Sequence, residues 1–562
     1  MSETFDVVVV GSGAGGLAAA CKAALEGART VVLEQSDRVG GTTAISGGMI
    51  WAPGNDKMAA LGAPDSDEAA RAYLEATLPP GERERLDAYL GAINEAIRDF
   101  EAHTSLRLQV VRTYPDYYPD VPGATTGGRV LEPVPFDGAS LGAEFATLRD
   151  PLPEFTLFGG MMVSRADIPH FRKAARSLRS ALRVARLLAQ YGAQRLRARR
   201  GTTLYLGNAL VARLFKSALD LGVTVRTGRT ACEVSHDETG RVRGLRARAA
   251  QGAEEEYRAR AVILATGGVS HDRALRSRFT PHAAGDLSAT VSPGQAPRGA
   301  SIAQALGAKL SAPTPEGAFW VPASTFTRAD GSLGVFPHTV TDRAKPGLIA
   351  VGGDGRRFVN EAVSYHEFVR AQLREPDRAI PAWLICDSAF VWRYGLGKVK
   401  PFAASTREDV ASGYLKRADS LADLAKAIGA PPGALQATVE QFNEGARRGE
   451  DAQFGRGADA YQRHLGDGER KPNPCVAPIE AAPFYAVAVR PADLGMSAGI
   501  VTDAQGRVLR EDGSPIAGLF ACGADMASVM EGAYPGPGIT LGPALAFGWL
   551  AGRAAAGLAR AN

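Results

Sequence analysis

Six residues near the N-terminus, Gly11-Ser12-Gly13-Ala14-Gly15-Gly16, constrain this chain more than any other stretch. They follow the apolar run Phe5-Asp6-Val7-Val8-Val9-Val10, which reads as a buried strand rich in β-branched residues. They precede Leu17 to Glu26, a run of good helix formers that Gly27 ends. Arg29-Thr30-Val31-Val32-Leu33 then predicts a second strand closing on Glu34. Strand, glycine turn, helix, strand and acid is the βαβ arrangement that holds a dinucleotide. Gly11 permits the tight turn, Gly13 lets backbone N–H groups approach a pyrophosphate, and Gly16 lets the helix pack on the strand. Ala14 and Gly15 open the helix whose positive end faces the phosphates, and Glu34, about 20 residues on, accepts from ribose hydroxyls.

A second small-residue loop follows at once, Gly40-Gly41-Thr42-Thr43-Ala44-Ile45-Ser46-Gly47-Gly48. Such a loop so soon after the ribose acid suits a longer cofactor, FAD rather than NAD. Here the chain resembles the flavoprotein superfamily of fumarate reductase, succinate dehydrogenase and the 3-ketosteroid dehydrogenases. The resemblance implies that Gly41, Thr42, Thr43, Ser46, Gly47 and Gly48 run along the pyrophosphate and the flavin ring. Members that bind FAD covalently carry a His in this loop; none is present, so non-covalent FAD is expected. The run Ala265-Thr266-Gly267-Gly268 matches the superfamily's return to the FAD domain. Gly523 and Asp525 match its ribityl-contacting segment, with Thr540 and Leu541 completing the cofactor site. As residues alone, Asp525 reads equally well as a helix cap.

At 562 residues the chain has room for two or more domains. Its 64 Lys+Arg against 60 Asp+Glu leave a net charge of +4, too mild to argue for nucleic acid. Five scattered cysteines without a CxxC pair argue against a disulfide framework or a zinc site. The eight His show neither metal-ligand spacing nor the order of a hydrolase triad. No apolar run of about 20 residues is present to span a membrane. The first strand begins at Phe5, which leaves no room for a signal peptide. A cytoplasmic protein is expected.

The expected architecture is α/β: a Rossmann-like FAD-binding domain in two parts, 1–280 and 491–562, with an α+β substrate domain inserted at 281–490. Glu84 to Phe100 predicts an amphipathic helix, residues 231–262 predict hairpins turning at Asp237-Glu238-Thr239-Gly240, and Ala544 to Ala559 predicts a terminal helix. Within a further insertion at about 155–205, the stretch from Ser164 to Arg200 holds eleven Lys/Arg and one acid, Asp167. Arg172, Arg176, Arg179, Arg183 and Arg186 repeat at helical steps and share one face, and Phe171, Ala175, Leu178, Leu182, Ala185 and Leu188 form an apolar face beside it. This basic amphipathic segment, 165–200, reads either as a solvated surface helix pair or as a face that rests on anionic lipid at the inner membrane surface.

The run Tyr534-Pro535-Gly536-Pro537-Gly538 fixes a loop just before a helix N-terminus. The Tyr534 hydroxyl and the Gly538 N–H form a two-donor site for a developing oxyanion. Tyr-x-Gly-Pro-Gly in this place resembles the 3-ketosteroid Δ1-dehydrogenases, whose matching pair holds the steroid C3 carbonyl. Two more tyrosines match: Tyr118, preferred over Tyr117, in the Asp-Tyr-Tyr-Pro loop, and Tyr365 after Arg357-Phe358-Val359-Asn360-Glu361. The resemblance implies that Tyr365 takes the C2 proton, that Tyr118 hydrogen-bonds Tyr365 and relays the proton or stabilises the phenolate, and that the C1 hydride passes to flavin N5. It implies a steroid substrate and an electron acceptor such as a quinone, or a dye in vitro. The alternatives are a Δ4-(5α)-3-ketosteroid dehydrogenase and a fumarate-reductase-like FAD ene-reductase.

Overall fold

A computed structural model of the chain describes residues 2–62, 65–81, 83–292, 299–314 and 317–560. The run of four valines, Val7–Val10, is the central strand of a six-stranded sheet. It pairs in parallel with Thr30–Leu33 on one side and Ala261–Leu264 on the other. Thr224–Arg226 extends the first edge, and Pro515–Ala521 and the antiparallel Arg507–Leu509 extend the second. Segments from both ends of the chain and from its middle therefore meet in one sheet. Parallel strands buried on both faces need continuous apolar runs, and the four valines serve both. Val7 and Val9 face a layer of helices, while Val8 and Val10 face a second sheet.

The helical layer is built on Ala14–Leu25 and Leu541–Arg560. Small residues let these helices approach closely. A Cβ placed on Gly548 would stand 2.6 Å from the Gly15 carbonyl oxygen and 2.9 Å from Ala18 Cβ. The opposite layer is the meander Arg229–His236, Val242–Ala249 and Glu254–Arg258, with the hairpin turn at the expected residues and Ser2–Thr4 added in parallel. The amphipathic helix spans Glu84–His103, and the terminal helix starts three residues before its expected first residue.

A separate antiparallel sheet lies between these elements in sequence. Its order is Leu333–Pro337, Ala318–Thr327, Phe484–Met496, Ala382–Asp387 and Leu348–Val351, and Leu415–Ala418 also pairs with Phe484–Met496. The helix Tyr365–Arg374 packs against the strand Ala318–Thr327. The basic segment departs from the single helical face expected of it. It forms Ile168–Lys173 and Leu178–Arg195, broken where Ser177 caps the second helix by accepting from the Ser180 N–H. Arg172 and Arg176 thus precede the break, and Arg179, Arg183 and Arg186 follow it.

The helix pair gives a stability test. Gly548→Ala puts a methyl against the Gly15 backbone, which cannot rotate away, and should cost about 1–3 kcal/mol. Thermal unfolding of the variant beside the parent measures it.

Candidate active site

The glycine turn and the loop after Glu34 fold onto one another. The Ala14 N–H donates to Thr43 Oγ1 at 3.1 Å, and the Val291 N–H to Thr42 Oγ1 at 3.1 Å. Gly11 is in the left-handed region (φ +104°), and a side chain there would run into the Ala265 carbonyl. Glu34 accepts from the Ser12 N–H at 3.0 Å, the Ser12 hydroxyl at 2.5 Å and the Ser36 N–H at 2.9 Å. It is partly exposed at the mouth of the turn. The short turn Gly41–Ile45 lies across the start of the helix, with Gly41 3.9 Å from Gly13 Cα as a Cβ would measure it. Ser46 Oγ ties the loop internally, donating to the Thr43 carbonyl and accepting from the Gly48 N–H.

Open space remains between these walls. A Cβ on Gly47 or Gly267 would meet no atom within 4 Å, and one on Gly523 would come only to 3.9 Å from Gly15 Cα. Glycine backbone facing open space between Glu34 and two helix starts suits the phosphates of FAD. Asp525 engages the protein itself: it accepts from the Thr266 N–H (2.5 Å), the Thr266 hydroxyl (2.8 Å) and the Gly268 N–H (2.9 Å). It pins the exit of the strand Ala261–Leu264 to the C-terminal return, and burial raises its pKa. Thr540 and Leu541 begin the terminal helix beside Gly538.

That terminal segment carries the second half of the site. Gly538 also has a positive φ (+95°), and a Cβ there would lie 2.6 Å from the Met49 carbonyl and 2.7 Å from the Trp51 nitrogen. Its carbonyl accepts from the Trp51 N–H at 3.2 Å and the Gly542 N–H at 2.9 Å. Tyr534, four residues earlier, is buried among aromatic rings. It stacks on Tyr117 at 5.5 Å and meets Tyr365 edge-on at 5.1 Å and Phe319 edge-on at 5.5 Å.

The tyrosine beside Tyr365 is Tyr117, which corrects the expectation of Tyr118. The Tyr117 hydroxyl donates to the Tyr365 hydroxyl at 2.8 Å. The Tyr118 hydroxyl instead donates to Glu367 Oε1 at 2.8 Å, where Arg370 also donates at 2.9 Å. The backbone decides between the two residues. The Tyr117 N–H donates to the Pro535 carbonyl at 2.9 Å, and the Tyr73 hydroxyl joins it there at 2.5 Å. Asp116 is buried, taking Trp51 Nε1 at 2.8 Å and Arg129 at 2.8 Å. With Asp116 turned toward Arg129, Tyr117 is held over Tyr534.

Sequence reasoning also missed Tyr461. Its ring lies 4.7 Å from that of Tyr117, and its buried hydroxyl has no hydrogen-bond partner among the described residues. No local motif marks it; only the fold brings the helix Ala460–Leu465 here.

Burial dominates the electrostatics. It pushes the Tyr117 and Tyr365 phenols well above their ordinary value, with the hydrogen bond from Tyr117 opposing this at Tyr365. Tyr534 is pushed up to about 12, again by burial, with its Tyr365 contact opposing. His366, 5.8 Å from the Tyr534 ring, is pulled down to about 4 by burial and is a neutral imidazole at pH 7. Its Nδ1 accepts from the Trp320 N–H. Tyr365 is the first residue of its helix, where the positive dipole end favours a phenolate.

A glycine-walled dinucleotide channel ending at buried phenols defines the class: an FAD-dependent oxidoreductase. The family described as FAD binding domain matches residues 6–541, and the chain belongs to it. Among curated proteins it is 38% identical to 4-oxocyclohex-2-ene-1-carboxylate 5-dehydrogenase of Sinomonas cyclohexanicum, over 99% of this chain and 94% of that one. It is 37% identical to 3-oxosteroid 1-dehydrogenase of Mycobacterium tuberculosis, over 98% of each. The crystal structure of 3-ketosteroid Δ1-dehydrogenase from Sterolibacterium denitrificans, in complex with 1,4-androstadiene-3,17-dione, superposes with a TM-score of 0.90 at 35% identity and 99% coverage of both chains.

Gly538→Ala tests the seat of the terminal loop. A methyl in contact with the Met49 carbonyl should displace the loop, lower FAD content per protein and cost about 1–3 kcal/mol of stability. Flavin absorbance relative to protein absorbance reads the first effect, and thermal unfolding the second.

Proposed function

We propose that the protein is a 3-ketosteroid 1,2-dehydrogenase, converting a 3-oxo-Δ4-steroid to the 3-oxo-1,4-diene. The observation that carries this reading is the phenol chain Tyr117–Tyr365–Tyr534 ending beside the Gly538 turn. Tyr534 Oη and the Gly538 N–H hold the C3 carbonyl oxygen and stabilise charge that develops there, which makes the C2 hydrogen acidic. Tyr365 takes that proton. Its raised pKa means it stands protonated at neutral pH, so only its phenolate form acts as the base, and the hydrogen bond that Tyr117 donates stabilises that form. FAD, when bound in the glycine channel by Gly13, Ala14, Glu34 and the Gly41–Gly48 loop, supplies the acceptor for the C1 hydride. The enclosing aromatic rings exclude water from the polarised ketone. Residues 1–280 and 491–562 as the flavin-binding part and 281–490 as the catalytic part belong to the same proposal.

The 38% identity to a cyclohexenone carboxylate dehydrogenase supports a second reading, in which the substrate is a monocyclic 4-oxo acid. The chemistry is shared, since a cyclic ketone loses a vicinal hydrogen pair. Dye-coupled turnover of androst-4-ene-3,17-dione against 4-oxocyclohex-2-ene-1-carboxylate separates them. The steroid reading predicts turnover of the first and formation of a 1,4-dien-3-one; turnover of the second alone overturns it. Tyr117→Phe should lower kcat about 10²-fold and Tyr118→Phe by less than about threefold. A base that must lose its proton gains activity as pH rises. The rate should therefore climb from about pH 6 to beyond about pH 9, approaching about tenfold per unit. A flat profile would contradict this assignment.

Contact with lipid belongs to the same proposal, since sterols partition into bilayers. No helix among the described residues is long and apolar enough to cross a membrane. The second basic helix, however, exposes Leu178 (78%) and Leu182 (63%) among its arginines, with Leu196 (87%) just past its end. Phe158 is exposed on a loop tied to this helix by the Tyr191 hydroxyl. Anionic vesicles should co-sediment the protein in a salt-sensitive way, and Leu178→Glu with Leu182→Glu should weaken this about tenfold. Equal sedimentation of parent and variant would remove the idea.

A further inference from the structure

Tyr365 opens the helix Tyr365–Arg374, which Ser364 caps by accepting from the Glu367 N–H at 3.2 Å. The approach to that helix is gripped by a residue of another segment. Arg343 is fully buried, and its guanidinium donates to the Glu361 carbonyl at 2.9 Å and the Val363 carbonyl at 3.1 Å. It also donates to the carbonyls of His338 (2.8 Å) and Thr339 (3.1 Å), just past the strand Leu333–Pro337. On its other side the Phe368 ring, one turn into the Tyr365 helix, lies 5.2 Å from the guanidinium carbon. Contacts before and after Tyr365 thus bracket the start of the helix. Arg456, itself buried, holds Arg343 in turn and donates to its carbonyl at 2.7 Å.

No carboxylate accepts from this guanidinium among the described residues. Glu361 and Asp451 both take Arg357, and Glu361 takes Arg456 as well. Asp342 faces His338 Nδ1 at 2.6 Å and accepts from the backbone N–H groups of Arg343 and Gly397. The placement of Arg343 is doubly costly. Its charge is buried on neutral carbonyls, and it sits at the positive end of a helix. Both costs fall when negative charge forms beside it. The Tyr365 phenol faces Tyr117 and Tyr534, and Tyr114 also acts on it electrostatically. His366, neutral at pH 7, and Glu367, held by Tyr118 and Arg370, follow it on the helix. Around Arg343 stand His338, Asp342 and Arg456, and its charge acts on Tyr117 and Tyr461.

We propose that Arg343 is a positioning residue for the desaturation: it fixes the segment that delivers Tyr365 and keeps one buried positive charge at that end of the helix. The inference rests on the ketone-desaturation reading. Tyr365 must reach the C2 hydrogen while Tyr534 and Gly538 hold the C3 oxygen, so a misplacement of about 1 Å at the helix start costs about 10²-fold in rate. The charge adds to the helix N-terminus in favouring the phenolate over the phenol.

The test is dye-coupled turnover of androst-4-ene-3,17-dione by the FAD-loaded parent, Arg343→Lys and Arg343→Gln between about pH 6 and pH 10. Lys keeps the charge with three N–H donors, and Gln keeps two donors without it. In Arg343→Lys, kcat should fall by less than about tenfold, with the rising limb of the pH profile within about 0.3 unit of the parent's. In Arg343→Gln, kcat should fall about 10²-fold with KM within about twofold, and the limb should move about one unit to higher pH. FAD content should match the parent's in both, since the contacts of Arg343 lie on the Tyr365 side of the site. Equal kcat in the two variants with an unmoved limb would make Arg343 a strut alone and overturns the proposal. Loss of flavin from both variants also overturns it, because the effect would then not be confined to the base. Either result leaves the desaturation reading standing while the parent turns over; a parent without turnover overturns both.

Discussion

The seating of Gly538 on the Met49–Trp51 backbone is the contact on which the rest depends. It is a backbone-to-backbone approach that no side chain at 538 would allow. Through it the N-terminal flavin loop and the C-terminal return become one wall. Two residues upstream of Gly538, a Cβ on Gly536 would stand 2.8 Å from Trp51 Nε1, and that nitrogen in turn donates to Asp116. From Asp116 the order passes to Arg129 and Asp65 on one side and to Tyr117 on the other. A buried ion network is a poor source of net stability, but one left half-paired is expensive, so it selects a single arrangement of this loop. The functional consequence is geometric: the phenol chain and the dinucleotide channel share the same support.

Much of the fold was legible because local and global preferences agree. The four valines, the glycine turn and the alanine-rich helix each favour the same βαβ unit, and the unit appears as read. The meander at 229–258 followed from alternation and a turn, and the final helix from its composition. The basic segment forms two helices, as the helix-pair reading has it, but Ser177 interrupts the one face that the arginine spacing predicts. A Ser followed by Leu-Arg-Ser at the start of a helical run is a cap signal, and the even spacing of arginines across it concealed the break.

The site was only partly legible. Tyr534, Gly538 and Tyr365 lie in motifs with demanding backbones. The choice between Tyr117 and Tyr118 lies outside any motif: the adjacent hydroxyls take different partners, and Tyr117 is held by the Pro535 carbonyl, more than 400 positions away. Tyr461 belongs to a further segment, and nothing near it in sequence marks it for this cluster. Asp525 lies in a backbone turn that the sequence does mark. It is expected at a cofactor contact, and its oxygens accept from Thr266 and Gly268 in the turn beside the glycine-lined space.

The central claim is that a ketone held by Tyr534 and Gly538 loses a hydrogen pair from the carbons beside it while FAD is reduced. Anaerobic mixing of oxidised holoprotein with androst-4-ene-3,17-dione, with the flavin's visible band followed in time and the steroid recovered, tests it most directly. The account predicts bleaching of the band with one 1,4-dien-3-one formed per flavin reduced, slowed when C2 carries deuterium. An unbleached band, with the steroid recovered intact, would contradict it.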